Sequence, residues 1–147
     1  MVFRAKIDSF FIFIMSITIL VLSGVLLIPL FTDKTRTMLD TVIVFSLLII
    51  SVGFIIWSVF SIKYVFYDDY LLVKGGPFRS RILYQEITKV SPTKDIYTGY
   101  RLLSSKSGIE IFYKSGTLGS VKISPKENEL FLSELKKRCP NVIIQES

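Results

Sequence analysis

The stretch Lys122–Pro140, KISPKENELFLSELKKRCP, reads as a water-soluble amphipathic helix. Ser124 suits an N-cap, and Pro125 suits the first helical position, where a missing N–H costs nothing. Glu127 stands three residues after Ser124, so the pair predicts a capping box and a helix over about 125–138. Leu130, Phe131 and Leu135 share one apolar face, while Lys126, Glu129 and Lys137 stay in water. Lys136, Lys137 and Arg138 sit at the negative end of the helix dipole, and Pro140 stops the helix. One apolar stripe requires a soluble core to cover, and the chain ahead of the helix must supply it.

The first part of the chain is of another kind. Phe10–Phe31 and Val42–Phe60 are almost unbroken apolar runs without a charged residue. About twenty such residues cross roughly 30 Å of hydrocarbon, and an all-round apolar pattern suits lipid better than a half-buried site. The reading is a two-helix anchor over residues 1–63, with spans at about 10–31 and 41–62. The short linker TDKTRTMLD forces an antiparallel hairpin with both ends on one side. Arg4, Lys6 and Lys63 flank the termini side and only Lys34 and Arg36 the linker, so the positive-inside rule places both termini in the cytoplasm. No ionisable group lies within either run, which argues for an anchor and against an ion or proton path.

From Tyr64 onward the continuous apolar runs give way to short alternations. YVFYDDYLLVKGG predicts two strands that turn at Asp68-Asp69 and end at Gly75-Gly76-Pro77. RSRILYQEITKV offers one or two more strands. GIEIFYK sets Ile109, Ile111 and Tyr113 against Glu110 and Phe112, and SVKI sets Val121 and Ile123 on one face and Lys122 on the other. SPTKDIYTGYRLLSS predicts a loop leading into a strand near Tyr100–Leu103. Residues 64–147 are thus a small, mostly antiparallel sheet domain whose open end the last helix closes as a β-barrel.

YDDYLLVKGGPFRSRILYQEITKVSPTK, IEIFYK and ISPKENELFLSELKKRCP together resemble the bacterial pleckstrin-homology-like membrane proteins of the YyaB-like group. The motifs are the turn Gly76-Pro77-Phe78-Arg79, the helix start Ile123-Ser124-Pro125-Lys126 and the helix end Leu135–Pro140. FRAKID at Phe3–Asp8 is similar to the opening of that group. The resemblance implies a membrane-anchored α+β protein: a transmembrane hairpin, then a PH-like split β-barrel closed by one C-terminal helix. It implies no reaction. A sublancin-immunity protein of bacilli carries a related domain.

Thirteen Lys/Arg against nine Asp/Glu in residues 64–147 give that part a net charge of +4, suited to anionic neighbours. Lys74, Arg79 and Arg81, gathered at one hairpin, are the candidate contact for anionic lipid headgroups; their pattern resembles the basic hairpin of eukaryotic PH domains. The bland alternative is a hairpin whose charges block edge pairing. Catalysis lacks its usual parts. There is no histidine, Gly75-Gly76 opens no phosphate loop, and Asp68-Asp69 reads as a solvated bend without further metal ligands. Cys139, the lone cysteine, reads as a partly buried helix-end residue, and Ser104, Ser105 and Ser107 have no base. The expectation is a non-enzymatic, cofactor-free, metal-free binding module that contacts a protein partner or anionic lipid, not nucleic acid. The alternative is immunity against a membrane-active bacteriocin.

Overall fold

The computed structural model describes residues 1–95, 97–116 and 118–145. Ile96 and Thr117, in the expected loop and turn, and Glu146 and Ser147, at the end of the expected domain, lie outside the described residues. Two helices, α1 (Ser9–Thr32) and α2 (Met38–Phe60), form an antiparallel pair. Both are long and apolar enough to cross a membrane, and their most apolar windows are not buried within the molecule. Each begins with a defined cap. The Asp8 carboxylate accepts from the Phe11 amide at 2.9 Å, and Thr37 and Asp40 form a reciprocal capping box.

Among the described residues nine strands make two sheets. β1 (Val2–Arg4), β2 (Lys63–Phe66), β3 (Tyr70–Gly75) and β4 (Phe78–Leu83) pair antiparallel in that order. β5 (Ile87–Thr93), β6 (Arg101–Leu102), β7 (Gly108–Tyr113), β8 (Ser120–Ile123) and β9 (Ile143–Ile144) form the second sheet in the order β6-β8-β7-β5-β9. Within it β5–β9 and β6–β8 are parallel. α3 (Asn128–Arg138) buries Phe131 and Leu135 at the end of the core, giving the PH-like arrangement of two sheets and a C-terminal helix. Phe131 stands amid Phe3, Phe66 and Tyr64, with ring centroids 5.4, 4.9 and 6.1 Å away.

The N-terminus corrects the expected division at residue 63. Val2–Arg4 is a strand of the domain, and Phe3 is part of its core. The Met1 amino group donates to the Phe66 carbonyl at 3.2 Å, Ala5 bridges Pro125 and Ile7 bridges Ser104. Residues 1–8 therefore run along the seam between the two sheets, and the helical pair is inserted between β1 and β2. Arg4 lies opposite Lys63, so the pair takes the place of a hairpin turn.

The helix start is corrected too. α3 begins at Asn128, not Pro125; Glu127 is its N-cap and makes no side-chain capping bond, so the Ser124–Glu127 capping box does not form. Tertiary pairing takes Ser124 instead. Its amide donates to the Tyr64 hydroxyl at 3.1 Å, its carbonyl accepts from the Lys6 amide at 2.7 Å, and its hydroxyl oxygen accepts from the Ser104 amide at 3.1 Å. Buried amides left unpaired would cost more than an exposed cap contributes, so the strand-like bonding prevails. With the later start, Leu130 lies on the exposed side.

Lys122, on the other face of β8 from Val121 and Ile123, is enclosed as well. It is 4 % exposed, its ammonium 2.9 Å from the Asp95 carboxylate and 3.2 Å from the Thr98 hydroxyl. Asp95 and Thr98 cover it, and a buried ammonium needs such partners. Bonds from Thr98, Lys122 and the Tyr97 amide hold the Asp95 carboxyl far below the ordinary carboxylate range.

Candidate functional site

Strand register assembles a surface that lies apart in the chain. Lys74 stands opposite Arg79, Lys63 opposite Lys74, and Arg4 opposite Lys63. Beyond β1 the row continues, because the Lys126 amide donates to the Arg4 carbonyl at 3.0 Å beside the Ala5–Pro125 bridge. Five cations, Arg79, Lys74, Lys63, Arg4 and Lys126, thus cross four strands and the start of the helix segment. At about 4.8 Å per strand the row spans about 19 Å. Alternation explains their common outward direction: Phe3, Tyr64 and Val73, one residue along each strand, are buried. Arg81 lies one pair further along the same face, its guanidinium 5.6 Å from the Tyr70 ring centroid.

Like charges placed directly across a sheet repel. Among the described residues no carboxylate offsets the repulsion of these five cations by an ion pair. The position of the row is set by the helices. Lys63 follows the last residue of α2 by three positions, about 10 Å of extended chain, close to the screening length of about 8 Å in physiological salt.

Short contacts hold the domain against the helix ends. Gly76 has φ of +55°, and its amide donates to the Ser61 hydroxyl at 2.6 Å. A Cβ at Gly76 would come within 3.0 Å of the Ser58 Cα, so the Gly76-Pro77 turn requires glycine for both conformation and space. On the α1 side, Asp8 accepts from the Ser105 hydroxyl at 2.9 Å and the Lys106 amide at 2.6 Å. Burial opposes the charged Asp8, but the bonds from Lys106, Phe11 and Ser105, together with the charge of Lys6, outweigh it and lower its pKa.

Of the residues singled out from sequence, Lys74, Arg79 and Arg81 are brought together on one face. Arg4 and Lys63 were legible only as flanking charges, since their place in the row depends on β1, whose three-residue alternation is a weak signal. Ser124, Pro125 and Glu127 form no cap; the first two join the seam. Asp68 and Asp69 occupy the β2–β3 connection, and the Asp69 carbonyl accepts from the Tyr84 amide at 3.3 Å. Cys139 is buried, its sulfur 3.7 Å from the Tyr84 carbonyl; burial raises its thiol pKa to about 11, against the opposing charge of Arg138. Such a thiol stays protonated near neutral pH and is a poor nucleophile.

Two apolar helices, paired sheets with a C-terminal helix across their core, and a cationic face define a class of domain. Residues 62–139 match the family described as Bacterial PH domain, and the chain belongs to that family. It is similar to the uncharacterized protein YyaB of Bacillus subtilis (strain 168), with 39% identity over 102 residues, 69% of each chain. The family match begins at Ile62, so β1, which supplies Arg4 and Phe3, lies outside it.

Proposed function

We propose that this chain is a non-catalytic, membrane-tethered PH-like binding module whose cationic row engages the anionic phospholipid headgroups of the bilayer that anchors it, at the inner face of the cell membrane. The row from Arg79 to Lys126 carries this reading: its cations have no carboxylate partner among the described residues and stand beside the helix ends. Each basic residue near an anionic surface adds about 1 kcal/mol of attraction, weakened by salt. The interaction is one of matched charge over an area, and the anchor supplies the proximity.

The test is retention of anionic lipid by the full-length protein, read by native mass spectrometry after extraction from membranes. Neutralising Arg4, Lys63, Lys74 and Arg79 together to Gln is expected to abolish retention of anionic lipid while sparing zwitterionic lipid. Equal retention by the variant would refute the reading.

Sidedness has its own test. Cys139 is buried, so it cannot report topology by labelling. In intact cells, an impermeant maleimide is expected to label Thr37→Cys in the helix linker and to spare Ser115→Cys beyond β7. The reverse pattern would place the domain outside.

A further inference from the structure

An open cavity of about 630 Å³ lies at one end of the cationic row, bounded by four separate stretches of chain. The N-terminal segment contributes Lys6, the end of β5 Thr93 and Lys94, the approach to β7 Ser107, and the approach to α3 Lys126 and Asn128. We propose that this cavity is a discrete phosphate-binding site, held by the ammonium groups of Lys6, Lys94 and Lys126.

Three cations from distant parts of the sequence line one concavity, and among the described residues no carboxylate lines it. The carboxylates nearest to them in the chain are largely committed elsewhere. Asp8, two residues from Lys6, is held by Phe11, Ser105 and Lys106. Asp95, next to Lys94, pairs with the buried Lys122 and with Thr98. Glu127, next to Lys126, is exposed and does not line the cavity. Among the described residues none of the three lysines makes an ion pair.

The remaining walls supply neutral donors suited to the several oxygens of a phosphate. The Thr93 hydroxyl oxygen accepts from the Asp95 amide at 3.2 Å, which leaves its proton to donate. Ser107 and Asn128 add a hydroxyl and an amide. α3 opens at this rim without a side-chain cap, so its first-turn amides add positive potential there. A carboxylate would satisfy one or two of these groups, whereas a phosphate has oxygens for more of them. Concavity distinguishes the site from the flat row: here one anion can be surrounded, and binding saturates. Lys6 lies three residues before α1, about 10 Å of extended chain, so either a lipid headgroup or a soluble phosphate can reach it.

The experiment uses the full-length protein with two probes. Inorganic phosphate is titrated into detergent-solubilised protein by calorimetry, and binding to nanodisc-embedded protein is followed with phosphatidic acid in a phosphatidylcholine background. Saturable binding of either probe, weakened at least tenfold by K6Q/K94Q and retained by K136Q/K137Q at the far end of α3, is expected. Binding of inorganic phosphate identifies a soluble ligand, and binding of phosphatidic acid alone a lipid headgroup. K6R/K94R is expected to restore binding, which separates loss of charge from loss of structure. The site is refuted if neither probe saturates, or if K136Q/K137Q weakens binding as much as K6Q/K94Q. The second result would show diffuse attraction to the basic surface and leave the bilayer-contact reading intact.

Discussion

Phe131→Ala is expected to destabilise the domain by about 3–5 kcal/mol, the range for truncating a fully buried aromatic residue. Phe131 has no exposed surface and stands at the meeting of three parts of the fold: β1 through Phe3, β2 through Tyr64 and Phe66, and α3, which carries it. A small side chain there would leave a cavity that three differently supported elements must collapse together to fill. For a domain of this size each kcal/mol moves the melting midpoint by about 4–8 °C, so a fall of more than 10 °C is expected. Cys139 provides the readout in the intact protein. It is the lone thiol, it is buried, and it becomes reactive when α3 leaves the core. A thiol-reactive fluorogenic dye followed during heating reports that event without interference from the membrane helices. An unchanged midpoint would show that α3 is not held through Phe131.

The second large effect concerns the first eight residues. A fragment of residues 62–145 is expected not to fold cooperatively, although it contains the whole family match. It lacks Phe3, a core residue, and leaves the outer side of β2 without its ladder to β1. It also exposes the backbone of Ser104 and Ser124, which Lys6 and Asp8 pair. Joining residues 1–8 to Ile62 through about eight Gly and Ser residues is expected to restore a soluble, cooperatively melting domain. Such a linker spans about 16 Å on average, and the Ala5 amide already lies 3.4 Å from the Ile62 carbonyl, so the connection replaces the helical pair without strain. Equal melting of the two fragments would show that β1 is dispensable.

These two expectations mark where sequence reasoning reached and where it stopped. Ile109, Ile111 and Tyr113, and Val121 with Ile123, were legible as residues of one face because a strand alternates with period two. Helix α3 was legible from Phe131, Leu135 and its basic last turn, although its first turn was misplaced. An N-cap is a local preference of about 1 kcal/mol, and at Ser124 it competed with bonds to the Tyr64 hydroxyl and to the Lys6 and Ser104 amides. Those competitors are distant in sequence. The burial of Lys122 was not legible for a similar reason, since its partners Asp95 and Thr98 are distant in sequence.

The candidate surface divides along the same line. The Lys74, Arg79 and Arg81 group was visible because a hairpin keeps neighbours in sequence close in space. The longer row was not, because Arg4 and Lys63 are separated by the whole helical pair, and Lys126 lies far along the chain, between β8 and α3. By itself the sequence determined the elements whose causes are local: two helices apolar on every side, alternating strands, a turn that requires glycine at position 76, and a final amphipathic helix. Only the tertiary structure decided that the chain's first strand belongs to its last domain, and that the cations on either side of the helical pair stand in one row. Register between distant strands is selected by the shared core they bury, and no single stretch of the sequence contains both sides of that choice.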